Sequence, residues 1–385
     1  MRGFGETGGQ SVCLDCIIDE GLRDQVVPHV TEDVCTFCGR ETEDGVPIAA
    51  PFEELMRPIM DAIHFFYERS EESLFWMDDV TARHTSQEVA YDVCAGEVAD
   101  NVLEEILEVI TDDFWNKDPA RLPPNVALRY AWDAFREKVK HEARFVFLSV
   151  PEGSSSDPDE FTASEILAKL VDIIQFRGII ADVPVGRVFY RGRMVDKPDT
   201  SGYDASTLGS PPPLKASANR MSPAGISMFY GCDDVATVVA EIGSHTVKRF
   251  AVIGAFETTR PLQIINLAAL PPVPSVFDPV KRKNYYELVF LHGFARDLSA
   301  SITLDGREHI EYVPTQVVTE YMRWLPDVAI DGILFTSAQN GGISSVIFCG
   351  PEGCADAGKE TDKTMLRLKN DSVHTVRVVA GPAAP

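Results

Sequence analysis

Between Phe52 and Phe66 apolar residues return at steps of three and four, at Phe52, Leu55, Met56, Ile59, Ile63 and Phe66, leaving Glu53, Glu54, Asp61 and Glu68 outside. That period belongs to an α-helix with one buried stripe. Val102, Leu103, Ile106, Leu107 and Ile110 repeat it, as do Leu128, Trp132, Phe135 and Val139, with Pro123-Pro124 punctuating the connection before them. The pattern predicts at least three helices in a small bundle. Another helix opens at the capping box Thr162-x-x-Glu165 and continues through Ile166, Leu167, Leu170, Val171 and Ile174. After it the period shortens. Val188–Arg191, Phe250–Phe256, Gln263–Ile265, Ile333–Phe335 and Ser345–Phe348 are short, β-branched or aromatic runs set apart by loops and at least two helices. Without a regular βαβ repeat, they predict an α+β domain.

The stretch Pro151-Glu-Gly-Ser-Ser-Ser-Asp-Pro158 has the polar, Gly/Pro/Ser-rich composition of a linker. It divides a multidomain chain into a cysteine-bearing segment over 1–48, a helical domain over 49–150, a linker over 151–162 and the α+β domain over 163–385. A chain of 385 residues that is 45% hydrophobic can bury cores of full size. Its formal charge of −24 argues against a bulk electrostatic grip on nucleic acid or an anionic membrane. The first 150 residues hold 13 Lys and Arg against 31 Asp and Glu, so an anionic ligand meets less repulsion in the C-terminal part. The Gly-rich start, Met1 to Gln10, lacks the basic and apolar regions of a signal peptide, and no long uncharged apolar run occurs. The expectation is a cytoplasmic protein.

Cys13-Leu-Asp-Cys16 and Cys35-Thr-Phe-Cys38 stand eighteen residues apart, with Gly39 directly after the second pair. Two thiolates on each of two tight turns can close a four-cysteine tetrahedron around zinc, leaving no position for substrate. The spacing predicts a structural zinc knuckle, and His29 lies outside it. Arg136 and His141 have the R-x4-H spacing of HEPN-type ribonucleases, but the acidic surroundings favour a solvated or interface helix face. Gly3-x-Gly5-x-x-Gly8 matches a dinucleotide fingerprint in letters only, because no strand can precede it, and no Walker loop occurs.

Four stretches then fall in order: Phe189-Tyr-Arg191-Gly-Arg193; Asn219-Arg-Met-Ser-Pro-Ala-Gly-Ile226 running to Phe229-Tyr230; Glu241; and Asp331-Gly-Ile-Leu-Phe-Thr-Ser337. Together they resemble the RES domain, with Arg191, Glu241 and Ser337 at the positions of the three residues that name the family and Tyr230 at its active-site tyrosine. Tyr312-Val-Pro-Thr-Gln316 with Glu320-Tyr321 resembles the helix before the family's Ser-bearing strand. The likeness covers about residues 185–350 of this chain. It departs where many members have Trp and Asn, because this chain has Met221 and Ser222. The N-terminal part resembles the zinc-knuckle and HEPN-like region found before some RES domains. The resemblance implies an ADP-ribosyltransferase-like fold and cleavage of NAD at the nicotinamide–ribose bond, with phosphate or water as acceptor.

These residue types suit that chemistry. Nicotinamide leaves as a neutral pyridine, so the barrier lies in an oxocarbenium-like ribose, which the carboxylate of Glu241 would stabilise. Arg191, in an apolar strand, offers a planar fork for the pyrophosphate, with Arg193 on the same strand face as substitute and Arg220 as a second choice. Tyr230 offers a ring face to nicotinamide and a hydroxyl to ribose. Ser337 precedes a hairpin turn, Asn340-Gly-Gly342, so its hydroxyl is expected at an open rim, orienting ribose or Glu241; no histidine pairs with it to make a nucleophile. The leading expectation is an NAD phosphorylase or glycohydrolase acting as a toxin or defence effector, its N-terminal domains taking an antitoxin or regulatory protein. ADP-ribose transfer to a macromolecule and a non-catalytic nucleotide-sensing module are the alternatives. A homo-oligomer stays open.

Overall fold

In the computed structural model, strand β1 (Ser11–Cys13) pairs antiparallel with β2 (Ala49–Pro51), so the segment carrying both cysteine pairs closes on itself. The structure describes residues 3–43, 45–69, 83–111, 113–117, 122–146, 159–243, 248–300, 306–324 and 328–378; the expected linker Pro151–Pro158 lies outside them. Between the two strands, α1 (Glu20–Val26) starts where the Asp19 side chain accepts from the Leu22 N–H. Helix α2 (Phe52–Phe66) follows, then β3 (Glu68–Arg69), β4 (His84–Thr85), α3 (Ser86–Cys94), α4 (Asp100–Val109) and β5 (Phe114–Asn116), the short strands ordered β3-β5-β4. The apolar stripe of α2 buries Phe52, Leu55, Met56, Ile59 and Ile63, in one core with Val12, Cys13, Cys16 and Cys35. The cysteine segment and the helices therefore share a single hydrophobic cluster.

Two compact units emerge, Met1–Ala127 with Pro272–Val289, and Leu128–Pro271 with Phe290–Pro385. The first unit recruits a late piece of chain. Phe277 is buried in its core, Ser275 Oγ donates to Asp19, and Arg282 pairs with Asp61 at 2.8 Å. The division falls inside α5 (Pro124–Glu137), which a π-helical turn, Lys138–Glu142, continues.

After α5 and its π-helical turn, the second unit continues with α6 (Ala163–Phe176), where the expected Thr162/Glu165 capping box is formed. There follow β6 (Ile180–Val183), β7 (Val188–Val195), α7 (Ala205–Leu208), β8 (Phe229–Cys232), α8 (Val235–Gly243), β9 (Phe250–Thr258) and β10 (Leu262–Asn266). The remainder is α9 (Tyr285–Ser299), α10 (Glu308–Glu311), α11 (Val313–Arg323), β11 (Gly332–Thr336), β12 (Ile343–Ile347), β13 (Cys354–Asp356), β14 (Leu366–Leu368) and β15 (His374–Arg377). One sheet takes β6 to β15 in the order β13-β14-β9-β7-β8-β12-β11-β10-β6, with β15 also on β9. Strand β7 pairs with β9 from Val188 to Val195 but meets β8 at Tyr190↔Cys232 alone. The sheet is thus nearly parted between β7 and β8. Alternation along the strands sends Phe189, Phe229, Val252 and Phe256 to one face and Cys232, Ala251 and Ile253 to the other, where Val238 of α8 covers them.

From Leu128 onward α5 belongs to this second unit rather than to the expected bundle. The reason is a local anchor. Trp132 stacks on Phe135 at 5.4 Å and meets Phe294 of α9 edge-on at 5.0 Å. Its Nε1 and Arg129 Nη1 both donate to Asp297 Oδ2, at 3.0 and 2.6 Å. Burying two aromatic side chains outweighs what the amphipathic pattern alone could assign, because a stripe does not name its partner.

Candidate active site

Helix α8 starts on the Asp234 side chain, which accepts from the Thr237 N–H at 2.7 Å and the Thr237 hydroxyl at 2.8 Å. The β11–β12 hairpin docks on that first turn, with Asn340 Nδ2 donating to Thr237 Oγ1 at 3.2 Å. A Cβ at Gly342 would stand 2.1 Å from the same oxygen, so only glycine permits this approach. The docking brings the hairpin beneath the last turn of α8, and there Glu241 meets it. Ser337 Oγ donates to Glu241 Oε1 at 2.5 Å, and Ser344 Oγ, on β12, donates to the same oxygen at 3.4 Å.

Ser337 does not sit at an open rim: it is 3% exposed. The turn after β11 folds back, Gly341 N–H donating to the Ser337 carbonyl at 3.0 Å and Gln339 N–H to its Oγ at 3.1 Å. A hydroxyl that accepts from backbone and donates to a carboxylate is fixed in direction. It holds one oxygen of Glu241.

Arg191 extends where β7 and β8 part. Its Nε donates to the Leu208 carbonyl at 2.8 Å, its Nη1 donates to the Tyr230 carbonyl, and its guanidinium lies 5.3 Å over the Phe229 ring. The Tyr230 carbonyl, on β8 beside the place where the ladder to β7 lapses, receives a guanidinium N–H. Burial, and then the neighbouring Arg193, bring Arg191 down to about 10, still fully charged at neutral pH. Two of its five N–H groups are thus committed and the charge has no carboxylate partner in ion-pair range among the described residues. Arg193 is exposed and outside the cavity wall. Arg220 donates from Nη1 to the Leu298 carbonyl at 2.8 Å; burial lowers its pKa, while Tyr312, Glu241 and Tyr230 offset that.

Tyr230 shares a hydrogen bond of 2.9 Å with Ser222. Burial pushes the phenol up to about 12, so it stays protonated across the physiological range. The neighbouring Met221 is wholly buried and accepts from Thr319 Oγ1 at 3.3 Å. Helix α11 secures this turn: Gln316 Nε2 donates to the Asn219 and Ser222 carbonyls at 2.8 and 3.2 Å, and Thr315 Oγ1 donates to the Arg220 carbonyl. The polar motif at 312–316 therefore positions the loop that carries Ser222.

Arg191, Tyr230, Glu241, Phe335, Ser344 and Ser345 border one cavity of about 100 Å³. Ser344 and Ser345 escaped the sequence reading, since a serine pair in a strand carries no signal until the register is known. Ser345 is 1% exposed, and its Oγ has no hydrogen-bond partner among the described residues. The cavity so joins a held carboxylate, a charge without a carboxylate, a protonated phenol and an unused hydroxyl. Such a set can stabilise a developing cation beside an anionic group.

The four thiols of Cys13, Cys16, Cys35 and Cys38 lie within 4.8 Å of one another. Individual separations are 3.6 Å for Cys13–Cys16, 3.6 Å for Cys13–Cys38 and 3.9 Å for Cys16–Cys35. Bonds of about 2.3 Å from a tetrahedral metal to sulfur give edges of about 3.8 Å, so the cluster fits such an ion. Burial would raise Cys35, yet N–H groups of Cys38, Cys13 and Phe37 bring it to about 7. His29 lies 3.5 Å from Glu54 and is not part of the cluster. Arg136 pairs with Asp133 at 3.2 Å, and His141, exposed, lies 3.8 Å from Glu137.

The family model of HEPN/RES N-terminal domain 1 matches residues 29–152, and that of the RES domain matches residues 192–368. The second match takes in Arg193, Arg220, Tyr230, Glu241 and Ser337 and begins one residue after Arg191. No curated protein matches the chain.

Proposed function

From a chain that carries a HEPN/RES N-terminal domain 1 followed by a RES domain, we propose an enzyme that consumes NAD by cleaving its nicotinamide–ribose bond. The observation that carries this reading is Glu241, a carboxylate held by two serine hydroxyls in the wall of a cavity that Arg191 also borders. As the glycosidic bond breaks, nicotinamide takes the electron pair and leaves neutral, while positive charge grows on the ribose. Glu241 faces that charge. Fixed by Ser337 and Ser344, it need not reorient when the charge appears, which is where preorganised electrostatics gain over water. Arg191 supplies its remaining N–H groups to the pyrophosphate, in ground and transition state alike. Tyr230, protonated, donates to a ribose oxygen or covers the departing ring. A space of about 100 Å³ takes one ring rather than a dinucleotide, so the rest of NAD lies beyond it.

The acceptor is phosphate or water. Depletion of NAD would arrest a cell, which makes the chain a toxin or defence effector whose N-terminal domains receive an antitoxin or regulatory protein. The four-cysteine cluster holds a structural zinc, closed by four thiolates with no coordination site for substrate. Among the described residues no helix is long and apolar enough to cross a membrane.

The deciding experiment incubates purified protein with NAD, with and without inorganic phosphate, and separates the products. Nicotinamide with ADP-ribose 1-phosphate identifies a phosphorylase; nicotinamide with ADP-ribose identifies a glycohydrolase. NAD that is bound but left intact rejects the enzyme reading, and label from the adenosine half retained on macromolecules points to transfer.

A further inference from the structure

Behind Arg191 lies a pair of thiols that the proposed reaction does not use. Cys349 follows β12 and Cys354 opens β13, joined by the 3-10 turn Pro351–Gly353. Both sulfurs reach the hydroxyl of Ser210, at 3.7 and 3.5 Å, so one oxygen bridges the two thiols. Cys349, Cys354 and Ser210 are 4%, 9% and 1% exposed. The packing around them is tight: a Cβ at Gly353 would stand 2.5 Å from the Cys349 Cβ. Ser210 stands two residues after Leu208, whose carbonyl accepts from Arg191 Nε at 2.8 Å. One short stretch of backbone thus touches the thiols at one end and the arginine at the other.

The two sulfurs are unlike. The neighbouring Cys349 thiol, with Ser210 and the charge of Arg191, brings Cys354 to about 7 in spite of burial, whereas Cys349 is pushed up. Cys354 is in turn the first of the acidic groups whose charge offsets the burial of Arg191. A thiolate-prone sulfur near a cation, with a second thiol on the same hydroxyl, has the thiolate character and the resolving partner that oxidation by a small peroxide needs.

We propose that Cys349 and Cys354 are an oxidisable pair, a modification site for a peroxide, whose closure to a disulfide weakens NAD binding through Leu208, Ser210 and Arg191. The Cys354 thiolate attacks a peroxide oxygen, the O–O bond breaks, and hydroxide leaves with a proton as water. The Cys349 sulfur then attacks the Cys354 sulfenic acid and expels a second water. Two thiols and one hydrogen peroxide give one disulfide and two waters; the sulfurs lose two electrons and the peroxide gains them. Drawing the sulfurs to about 2.05 Å breaks the bridge through Ser210 and shifts the segment that holds Arg191 Nε. It also removes the thiolate opposite that guanidinium. The effect on NAD rests on the proposed function, but the covalent bond does not.

The test uses the full chain. Protein is treated with hydrogen peroxide, alkylated and digested with trypsin, which leaves both cysteines on the peptide 324–359. The expected peptide is lighter by two hydrogens and escapes alkylation until it is reduced. In parallel the apparent KM for NAD rises about threefold to tenfold, a loss of roughly 0.7–1.4 kcal/mol, and returns with dithiothreitol. Cys349→Ser keeps the untreated KM and does not respond, although its four-cysteine cluster is intact. Alkylation of both thiols as before treatment, or higher sulfur oxides without a link, overturns the site. A Cys349→Ser variant that responds like wild type overturns its coupling to NAD. If the link forms in a protein that never turns over NAD, the NAD reading falls and the modification site stands.

Discussion

Ser337 Oγ and Glu241 Oε1 stand 2.5 Å apart, a hydroxyl and a carboxylate from positions 96 residues apart in the chain. The bond uses one carboxylate oxygen, and Ser344 Oγ donates to the same oxygen. A carboxylate held in place by hydroxyls need not reorient when positive charge develops beside it.

Glu241→Gln keeps the shape and removes the charge. Nicotinamide release should fall roughly 100-fold or more while NAD still binds, because the lost interaction exists chiefly in the transition state. Ser337→Ala should cost roughly tenfold in kcat with KM little changed, since it frees the carboxylate without discharging it. Turnover by Glu241→Gln near the wild-type rate, in a variant shown to be folded by thermal melting, would falsify the assignment.

Arg191→Ala should raise the apparent KM for NAD as well as slow turnover, because a contact made in both ground and transition states is lost. Arg191→Lys should not rescue it. A lysine has one donor centre and cannot serve the Leu208 carbonyl, the Tyr230 carbonyl and a phosphate with a planar fork. Steady-state kinetics of the two variants check this, and a lysine variant with wild-type KM would contradict it.

Ser345→Ala separates stability from function. Its buried hydroxyl lacks a partner among the described residues, and an unmet polar group costs about 1–3 kcal/mol, so removal should leave the melting temperature equal or a few degrees higher. If substrate uses that hydroxyl, KM for NAD should rise severalfold in the same protein. A melting temperature several degrees lower with unchanged KM would show the serine to be structural instead.

Purified protein should carry about one zinc per chain, lost in the double variant Cys35→Ser with Cys38→Ser. Because Cys13, Cys16 and Cys35 lie in the first unit's hydrophobic cluster, chelation should also lower its melting temperature. Elemental analysis and calorimetry read both; a metal-free wild type of undiminished stability is the contrary result.

Arg136→Ala with His141→Ala should leave NAD cleavage within a few-fold. Arg136 is engaged by Asp133, and His141 is exposed beside Glu137, neither bordering the cavity. A loss beyond roughly tenfold, about 1.4 kcal/mol, would place transition-state stabilisation in that helix after all.

By itself the sequence determined what depends on neighbours a few residues away. The two cysteine pairs, the stripe from Phe52 to Phe66, the Thr162/Glu165 box and the strand at Val188–Arg191 are local signals, and each formed as its spacing dictates. The family motifs brought out Arg191, Tyr230, Glu241 and Ser337 as well. Only the tertiary structure decided what those side chains touch. Ser344 faces Glu241 because β12 lies between β8 and β11 with Ser344 opposite Cys232 and Phe335, and a slip of one residue would turn it to the other face. Ser337 is buried because the turn after it docks on α8, which needs Gly342 against Thr237, more than a hundred positions earlier. Arg191 reaches two carbonyls because β7 and β8 part, and α5 leaves the expected bundle because Asp297 and Phe294 await it. An apolar stripe or a lone polar residue states that a side chain will be buried or bonded; strand order and register name the partner.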